Sequence, residues 1–256
     1  MPFTLSHPAA SIPLIRWGLV PSALIIGSMS PDFLYFIKIS ATAHFGHTLP
    51  GVFLFCLPAG LAVLWVFHTF LKRPALSLLP IAHQERLILV SNGFTFGPLS
   101  RFILIVLSLL LGSFTHILWD SFTHFDGYAV GMFPFLNLSI AVGHLSVKVY
   151  NILQYVSTII GAYLLYLWYV RWFKQAPKHA IGLICNLSTS MKLAVLLTIV
   201  PGAFLLAYIF GAADCMTAIS DFHALRTFLI VRIIISGISI ASIELTVFAL
   251  LWHLFM

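Results

Sequence analysis

The stretch FILIVLSLLLGSFTHILWDSFTH (102–124) decides the fold class of this 256-residue chain. Its apolar part approaches the roughly 20 residues that a helix needs to cross the hydrocarbon core of a bilayer. The stretch ends on His116, Asp120 and His124, which are spaced four residues apart. On a helix these three side chains would lie along one stripe. The stretch therefore predicts a membrane-spanning helix with ionisable side chains at one end.

The composition of the whole chain indicates the same class. Apolar residues make up 61% of the sequence, charged residues only 8%, and the mean hydropathy is +1.05. A soluble domain carries about 25% charged residues. No linker divides the sequence, so we predict a single integral membrane domain over 1–256. The basic residues flank apolar runs, which is typical of membrane topology and not of a nucleic-acid-binding surface.

Five apolar segments are long enough to span a bilayer as helices. They are roughly 50–72, 102–121, 150–173, 192–212 and 228–253. The run WGLVPSALIIGSM (17–29) is too short and contains Pro21, which favours a re-entrant or interfacial helix. The predicted fold is therefore all-α: a polytopic membrane protein with about five transmembrane helices and an N-terminal re-entrant or interfacial helical segment.

The distribution of lysine and arginine predicts the orientation. Two connections are rich in basic residues: Lys72, Arg73, Arg86 and Arg101 in one, and Arg171, Lys174, Lys178 and Lys192 in the other. Cytoplasmic connections carry such an excess. We therefore expect the N-terminus outside and the C-terminus in the cytoplasm. This orientation also gathers most histidines and aspartates of the candidate site on the outer side.

The pattern His116-x-x-x-Asp120 places an imidazole and a carboxylate one helical turn apart, where they could hold one metal ion. His124 would lie about 12 Å from His116 along an ideal helix, so Asp120 could bridge two ions. The alternative is an ordinary helix end at the membrane surface. Two arguments favour a site: an acid near a helix C-terminus opposes the helix dipole, and ionisable groups within a span are costly and usually functional.

Other polar residues have both a structural and a functional interpretation. His7 and Asp32 each lie beside a proline where a helix could start, and each could also be a metal ligand. We expect at least one of His44 and His47 to be a ligand. Arg232, inside the last apolar segment, could pair with another helix or hold an anionic substrate.

Three motifs carry a family resemblance: PFTLSHPAASIPL (2–14), SALIIGSMSPDFLYF (22–36) and GSFTHILWDSFTH (112–124). They resemble a bacterial domain-of-unknown-function family of polytopic membrane proteins (DUF4184 type). The resemblance covers nearly the whole chain. It implies a multi-pass protein of the bacterial plasma membrane and implies no particular activity.

More distantly, the pattern is similar to bacterial membrane-bound metal-dependent hydrolases and to zinc-dependent phospholipase C. That resemblance implies a ligand order that falls on His7, Asp32, His44 or His47, His116, Asp120 and His124, with His144 as a possible later ligand. HLSVK (144–148) has Lys148 where the soluble enzymes have a glutamate. This difference favours one or two ions over a cluster of three.

These observations lead to the expectation of a membrane-embedded metal-dependent hydrolase. Histidine and carboxylate ligands without cysteine suit zinc, with manganese or iron as alternatives. Asp120 would bridge, and Asp32 would be a ligand or the catalytic base. The substrate would be a phospholipid or another lipid-linked phosphoester at the outer membrane face. A metal-ion or proton-coupled transporter and a non-catalytic, metal-tied membrane protein remain as alternatives.

Overall fold

The computed structural model describes residues 4–39, 44–142, 145–179, 187–215 and 222–255. The α-helices are α1 (Pro8–Ser11), α2 (Pro21–Met29), α3 (Phe33–Lys38), α4 (Leu49–Gly51), α5 (Leu57–Val66), α6 (Lys72–Leu78), α7 (Ile81–Asn92), α8 (Leu99–Thr123), α9 (Tyr128–Met132), α10 (Val149–Gln175), α11 (Thr189–Leu197), α12 (Ala203–Cys215) and α13 (Phe222–Phe255). Shorter 3-10 helices cover Thr4–Ser6, Ile12–Trp17, Ser30–Asp32, His44–His47 and Pro134–Asn137, and π-helical turns cover Val52–Cys56, Phe67–Leu71 and Thr198–Gly202. The two strands, β1 (Ser139–Val142) and β2 (Leu145–Lys148), form an antiparallel hairpin in which Ser139 is opposite Lys148. The predicted all-α class is confirmed.

Within the described residues, five helical stretches are long and apolar enough to cross a membrane. They are Leu49–Leu78, Leu99–Met132, Val149–Gln175, Thr189–Gly211 and Leu229–Phe255. Each coincides with one of the five predicted segments, so the chain is a multi-pass membrane protein. The nine residues of α2 would extend only about 14 Å, too little to span a bilayer.

The chain forms two compact units. The first contains Met1–Phe33, Phe45–Leu64 and Thr95–Gln175, and the second contains Leu34–His44, Trp65–Phe94 and Ala176–Met256. The single integral domain expected over 1–256 stays a prediction. All residues that gather at the candidate site belong to the first unit.

In the first unit, α2 lies against α8 at very short range because small residues occupy the contact. A Cβ atom on Gly112 would lie 2.5 Å from the carbonyl oxygen of Leu24, and one on Gly27 would lie 2.3 Å from that of Leu109. Ser113 also donates a hydrogen bond of 3.1 Å to the carbonyl of Gly27. This close crossing brings the backbone of α2 to the face of α8 that carries His116.

Helix α10 holds the N-terminal segment and the end of α8 in place. The hydroxyl of Ser6 donates to the carbonyl of Thr158 at 3.1 Å, and the indole N–H of Trp119 donates to Ser157 at 3.0 Å. Ser6 immediately precedes His7, and Trp119 immediately precedes Asp120. These two hydrogen bonds therefore position the neighbours of two candidate site residues.

Buried side chains of the second unit form hydrogen bonds to backbone carbonyls of the same unit. Gln84 on α7 is fully buried and donates to the carbonyl of Leu79 at 2.8 Å. Ser239 on α13 donates to the carbonyl of Phe36 at 2.8 Å. Arg232 lies on α13 in this unit.

Candidate metal centre

Ionisable side chains from separate parts of the first unit meet at one point. They are His7 between the Thr4–Ser6 turn and α1, Asp32 at the end of the Ser30–Asp32 turn, His47 at the end of the His44–His47 turn, and His116 and Asp120 on α8. All but His47 are buried, and His116 is completely so. Buried ionisable groups are costly unless they are paired or bind an ion. The cluster is therefore a candidate metal centre.

The orientation of His116 is fixed by the backbone of α2. Its Nδ1 atom lies 2.7 Å from the carbonyl oxygen of Ser28, so Nδ1 carries the hydrogen and donates it. In the neutral ring, Nε2 then has a lone pair. That Nε2 atom lies 3.1 Å from Oδ2 of Asp120 and 3.6 Å from Oδ1 of Asp32. A backbone carbonyl on the far nitrogen is the usual environment of a metal-binding histidine.

The imidazole of His47 completes this side of the cluster. Its Nε2 atom lies 3.3 Å from Nε2 of His116, 3.3 Å from Oδ1 of Asp32 and 3.5 Å from Oδ2 of Asp120. One atom from each of Asp32, His47 and His116 could reach a common ion. These side chains thus offer nitrogen and oxygen ligands to one point.

The other oxygen of Asp120 faces a different pair of histidines. Oδ1 lies 3.0 Å from Nε2 of His7 and 3.5 Å from Nδ1 of His124. The ring of His7 stacks on that of His116, with centroids 3.7 Å apart and planes inclined by 15°. His7, His116 and Asp120 form a second group that could hold an ion. Asp120 could therefore bridge two metal ions, with one ion at each of its carboxylate oxygens.

His124 lies at the C-terminal end of α8 and not within the helix. Helix α8 ends at Thr123, and His124 has extended backbone angles, with φ at −115° and ψ at 147°. Its ring therefore folds back, and its Nδ1 atom also lies 3.3 Å from the carbonyl oxygen of Asp120. His124 thus faces Oδ1 of Asp120, on the other side of the carboxylate from His116, and its separation of about 12 Å from His116 stays a prediction.

Two contributors to the site were missed from the sequence. The hydroxyl of Thr4 donates a hydrogen bond of 2.6 Å to Oδ2 of Asp32, which leaves Oδ1 to face His47 and His116. The other contributor is the carbonyl of Ser28. Thr4 lies in the motif PFTLSHPAASIPL, which was its only signal in the sequence. A backbone carbonyl has no signal of this kind.

The charges of the cluster suit a cation. Burial acts to raise the pKa of Asp32, but His116, His47 and Thr4 outweigh it and lower that pKa. Burial acts to lower the pKa of His47, but hydrogen bonds with Asp120 and Asp32 raise it to about 9. Burial and the neighbouring His116 lower the pKa of His7, which favours its neutral form. The two carboxylates thus favour positive charge between them, and His7 keeps a lone pair for coordination.

The remaining predicted residues are His44, Arg232 and His144. Between His44 and His47, the structure brings His47 to the cluster, while His44 is exposed and its Nδ1 atom lies 3.3 Å from the hydroxyl of Tyr35 in the second unit. Arg232 lies in the second unit, and its contact with substrate stays a prediction. His144 lies outside the described residues.

Comparisons with known proteins assign a family but no activity. No curated protein and no solved structure matches the chain. The likeness to membrane-bound metal-dependent hydrolases and zinc-dependent phospholipase C therefore stays a hypothesis. The family model described as "Domain of unknown function (DUF4184)" matches residues 1–250. Because this match includes all three motifs and every residue of the candidate metal centre, the chain belongs to the DUF4184 family.

Proposed function

We propose that this protein is a membrane-embedded metal-dependent hydrolase that cleaves a phospholipid or another lipid-linked phosphoester. One observation carries the proposal. The Nε2 lone pair of His116 is directed by the Ser28 carbonyl towards the carboxylates of Asp32 and Asp120 and the imidazole of His47. Two carboxylates and a histidine lone pair this close together attract positive charge, which either a proton on His47 or a metal ion can supply. In the proposed hydrolase, a divalent metal supplies that charge.

The chemistry of the ligands supports zinc, with manganese or iron as alternatives. Histidine nitrogens and carboxylate oxygens are typical ligands of these metals. The thiol of Cys56 donates instead to the carbonyl of Gly46, at 3.3 Å. Asp32, His47 and His116 would hold one ion together with Oδ2 of Asp120. His7 and His124, which face Oδ1 of Asp120, would hold a second ion where two are bound.

Different residues of the cluster would bind the metal, accept a proton and border the side from which substrate approaches. A bound divalent ion lowers the pKa of its water towards about 7 and polarises a phosphoryl oxygen. Asp32 would be a ligand or a base. As a base it would accept the proton at Oδ1, because its Oδ2 atom already accepts a hydrogen bond from Thr4. The side chains of His47 and His124 are exposed over 19% and 23% of their surface, whereas that of His116 is fully covered. Substrate would therefore approach on the side of His47 and His124.

We place the site at the outer face of the bacterial plasma membrane. The excess of lysine and arginine in the 72–101 and 171–192 connections supports this orientation, since the end of α8 that carries Asp120 then faces outwards. The membrane itself is inferred from the family resemblance. A lipid-linked substrate agrees with a buried site close to the end of a membrane-spanning helix.

Metal analysis of the purified protein tests the proposal. We expect His116→Ala to remove most of the bound zinc, because it deletes a ligand that lies 3.1 Å from Asp120 and 3.6 Å from Asp32. His83→Ala, in the second unit, should leave the metal content unchanged. Hydrolysis of a lipid phosphoester should require divalent metal, stop with a chelator and recover when zinc is restored. Equal metal content in both variants and the wild type would contradict the metal centre.

The hydroxyl of Thr4 provides a finer test of the same centre. We expect Thr4→Val to lower zinc affinity by about 10-fold to 100-fold, the usual effect of losing a partner that orients a ligand. Valine keeps the shape of threonine but cannot donate to Asp32. Thr4→Ser keeps the hydroxyl and should retain most of the affinity. Competition with a fluorescent zinc chelator would measure both values, and equal losses in the two variants would show that the hydroxyl does not orient Asp32.

A further inference from the structure

The connection between α8 and α10 exposes an apolar face. This α8–α10 connection comprises residues 124–148, of which 143 and 144 lie outside the described part. Its exposed large side chains are Phe125, Tyr128, Met132, Phe133, Phe135, Leu138 and Ile140. Its charged residues are Asp126 and Lys148. A face this apolar is unfavourable in water and indicates a binding surface.

The α8–α10 connection is nevertheless a folded element with its own small core. Ala129, Val130 and Leu136 are buried together, and Val149 and Tyr150 of α10 pack against them. The side-chain amide of Asn137 donates to the carbonyl of Val130 at 2.8 Å. The inner side is thus filled by its own residues, while the exposed rings of Phe133 and Phe135 lie against each other, with centroids 6.0 Å apart.

The contacts of the α8–α10 connection with α10 indicate its depth in the membrane. Val149 and Tyr150 form the first turn of α10, where the candidate span Val149–Gln175 begins. The backbone N–H of Val149 donates to the carbonyl of Leu138 at 3.0 Å. The connection therefore lies level with the end of a membrane span. Tyrosine and other amphipathic aromatic side chains are enriched at this boundary between lipid and water.

We propose that the apolar face of the α8–α10 connection inserts into the bilayer interface and binds membrane lipid there. The supporting observations are its position between α8 and α10, which belong to the consecutive candidate spans Leu99–Met132 and Val149–Gln175, its scarcity of charge and its packing on the first turn of α10. Elements that lie in the interface present one apolar face to the acyl chains in this way. Lipid is therefore the occupant of this face.

The proposal also concerns how substrate reaches the metal centre, and in this respect it rests on the proposed function. The connection begins at His124, whose Nδ1 atom lies 3.5 Å from Asp120. A lipid held against Phe125 and Tyr128 would have its headgroup beside the open side of the cluster. Substrate would then enter from the plane of the bilayer, and the enzyme would prefer a lipid phosphoester to a water-soluble one.

Fluorescence quenching tests the insertion without any assumption about activity. Cys56, Cys185 and Cys215 would be replaced by Ala, and an environment-sensitive fluorophore attached to Tyr128→Cys or Phe135→Cys in vesicles of phosphatidylcholine and phosphatidylglycerol. Asp126→Cys is the matched control, because Asp126 is an exposed polar residue of the same connection. We expect brominated lipid to quench the labels at 128 and 135, and aqueous iodide to quench mainly the label at 126. Iodide quenching at all three positions, or protection of 128 and 135 from both quenchers by a second copy of the chain, would overturn the proposal.

A kinetic comparison tests the route of the substrate. We expect Tyr128→Ser combined with Phe135→Ser to lower the ratio of lipid to water-soluble phosphodiester hydrolysis about tenfold, because two apolar anchors are lost. Metal content should stay unchanged. An unchanged ratio would overturn the route through the bilayer. If the wild type cleaves neither substrate, the proposed hydrolase function fails, while the quenching results still decide whether the connection inserts.

Discussion

Replacing Asp120 by Asn is expected to remove most of the bound metal and to lower hydrolysis by orders of magnitude. Both carboxylate oxygens are in use: Oδ1 lies 3.0 Å from Nε2 of His7, and Oδ2 lies 3.1 Å from Nε2 of His116. Asparagine keeps the size of the side chain but loses the negative charge, and its amide nitrogen cannot coordinate a cation. We expect metal affinity to fall more than about 100-fold, beyond the usual effect of losing an orienting partner.

The matched control for Asp120→Asn is Asp126→Asn. It makes the same chemical change at an exposed aspartate of the same unit, and should leave zinc content and hydrolysis unaltered. Elemental analysis and a chelator-sensitive phosphodiester assay would measure both variants. Full metal content in Asp120→Asn would refute the centre as described. A metal-loaded protein that cleaves no phosphoester, yet moves protons or metal ions across sealed vesicles in a manner that depends on Asp120, would establish the transporter alternative.

The spans and part of the candidate site were predictable because they depend on local sequence. The length of the apolar runs determines where helices can cross a bilayer, and the four-residue spacing of His116 and Asp120 places them together on α8 whatever surrounds that helix. The end of α8 at Thr123, one residue before His124, could not be predicted because it depends on the loop that follows. Periodicity in the sequence does not show at which residue a helix stops.

The choice between His44 and His47 could not be made from spacing, because it depends on a long-range contact. A Cβ atom on Gly46 would lie 2.3 Å from the carbonyl oxygen of Pro31, so the backbone beside His47 lies directly against the backbone beside Asp32. The same reasoning applies to Ser28 and Thr4. Their contributions exist only once α2 has packed on α8 and the N-terminal turn has reached Asp32.

The packing of α2 on α8 leads to the largest expected effect on stability, that of Gly112→Ala. The added Cβ would lie 2.5 Å from the carbonyl oxygen of Leu24 and 2.7 Å from the backbone nitrogen of Ser28. Both are backbone atoms that cannot rotate away, so α2 must shift. Overpacking of this kind costs about 1–3 kcal/mol, and we expect a clearly lower thermal unfolding temperature in detergent.

Gly112→Ala should also weaken metal binding, because the shift of α2 displaces the Ser28 carbonyl that accepts from Nδ1 of His116 at 2.7 Å. Gly131→Ala is the matched control, since a Cβ there would meet no described atom within 4 Å and alanine favours a helix by about 1 kcal/mol over glycine. It should leave the unfolding temperature and zinc content unchanged or slightly raised. Suppose that Gly112→Ala unfolds at the wild-type temperature and binds zinc with wild-type affinity. The close packing of α2 on α8 then does not hold His116 in place. If the variant loses stability but keeps its affinity, the crossing supports the fold without orienting the ligand.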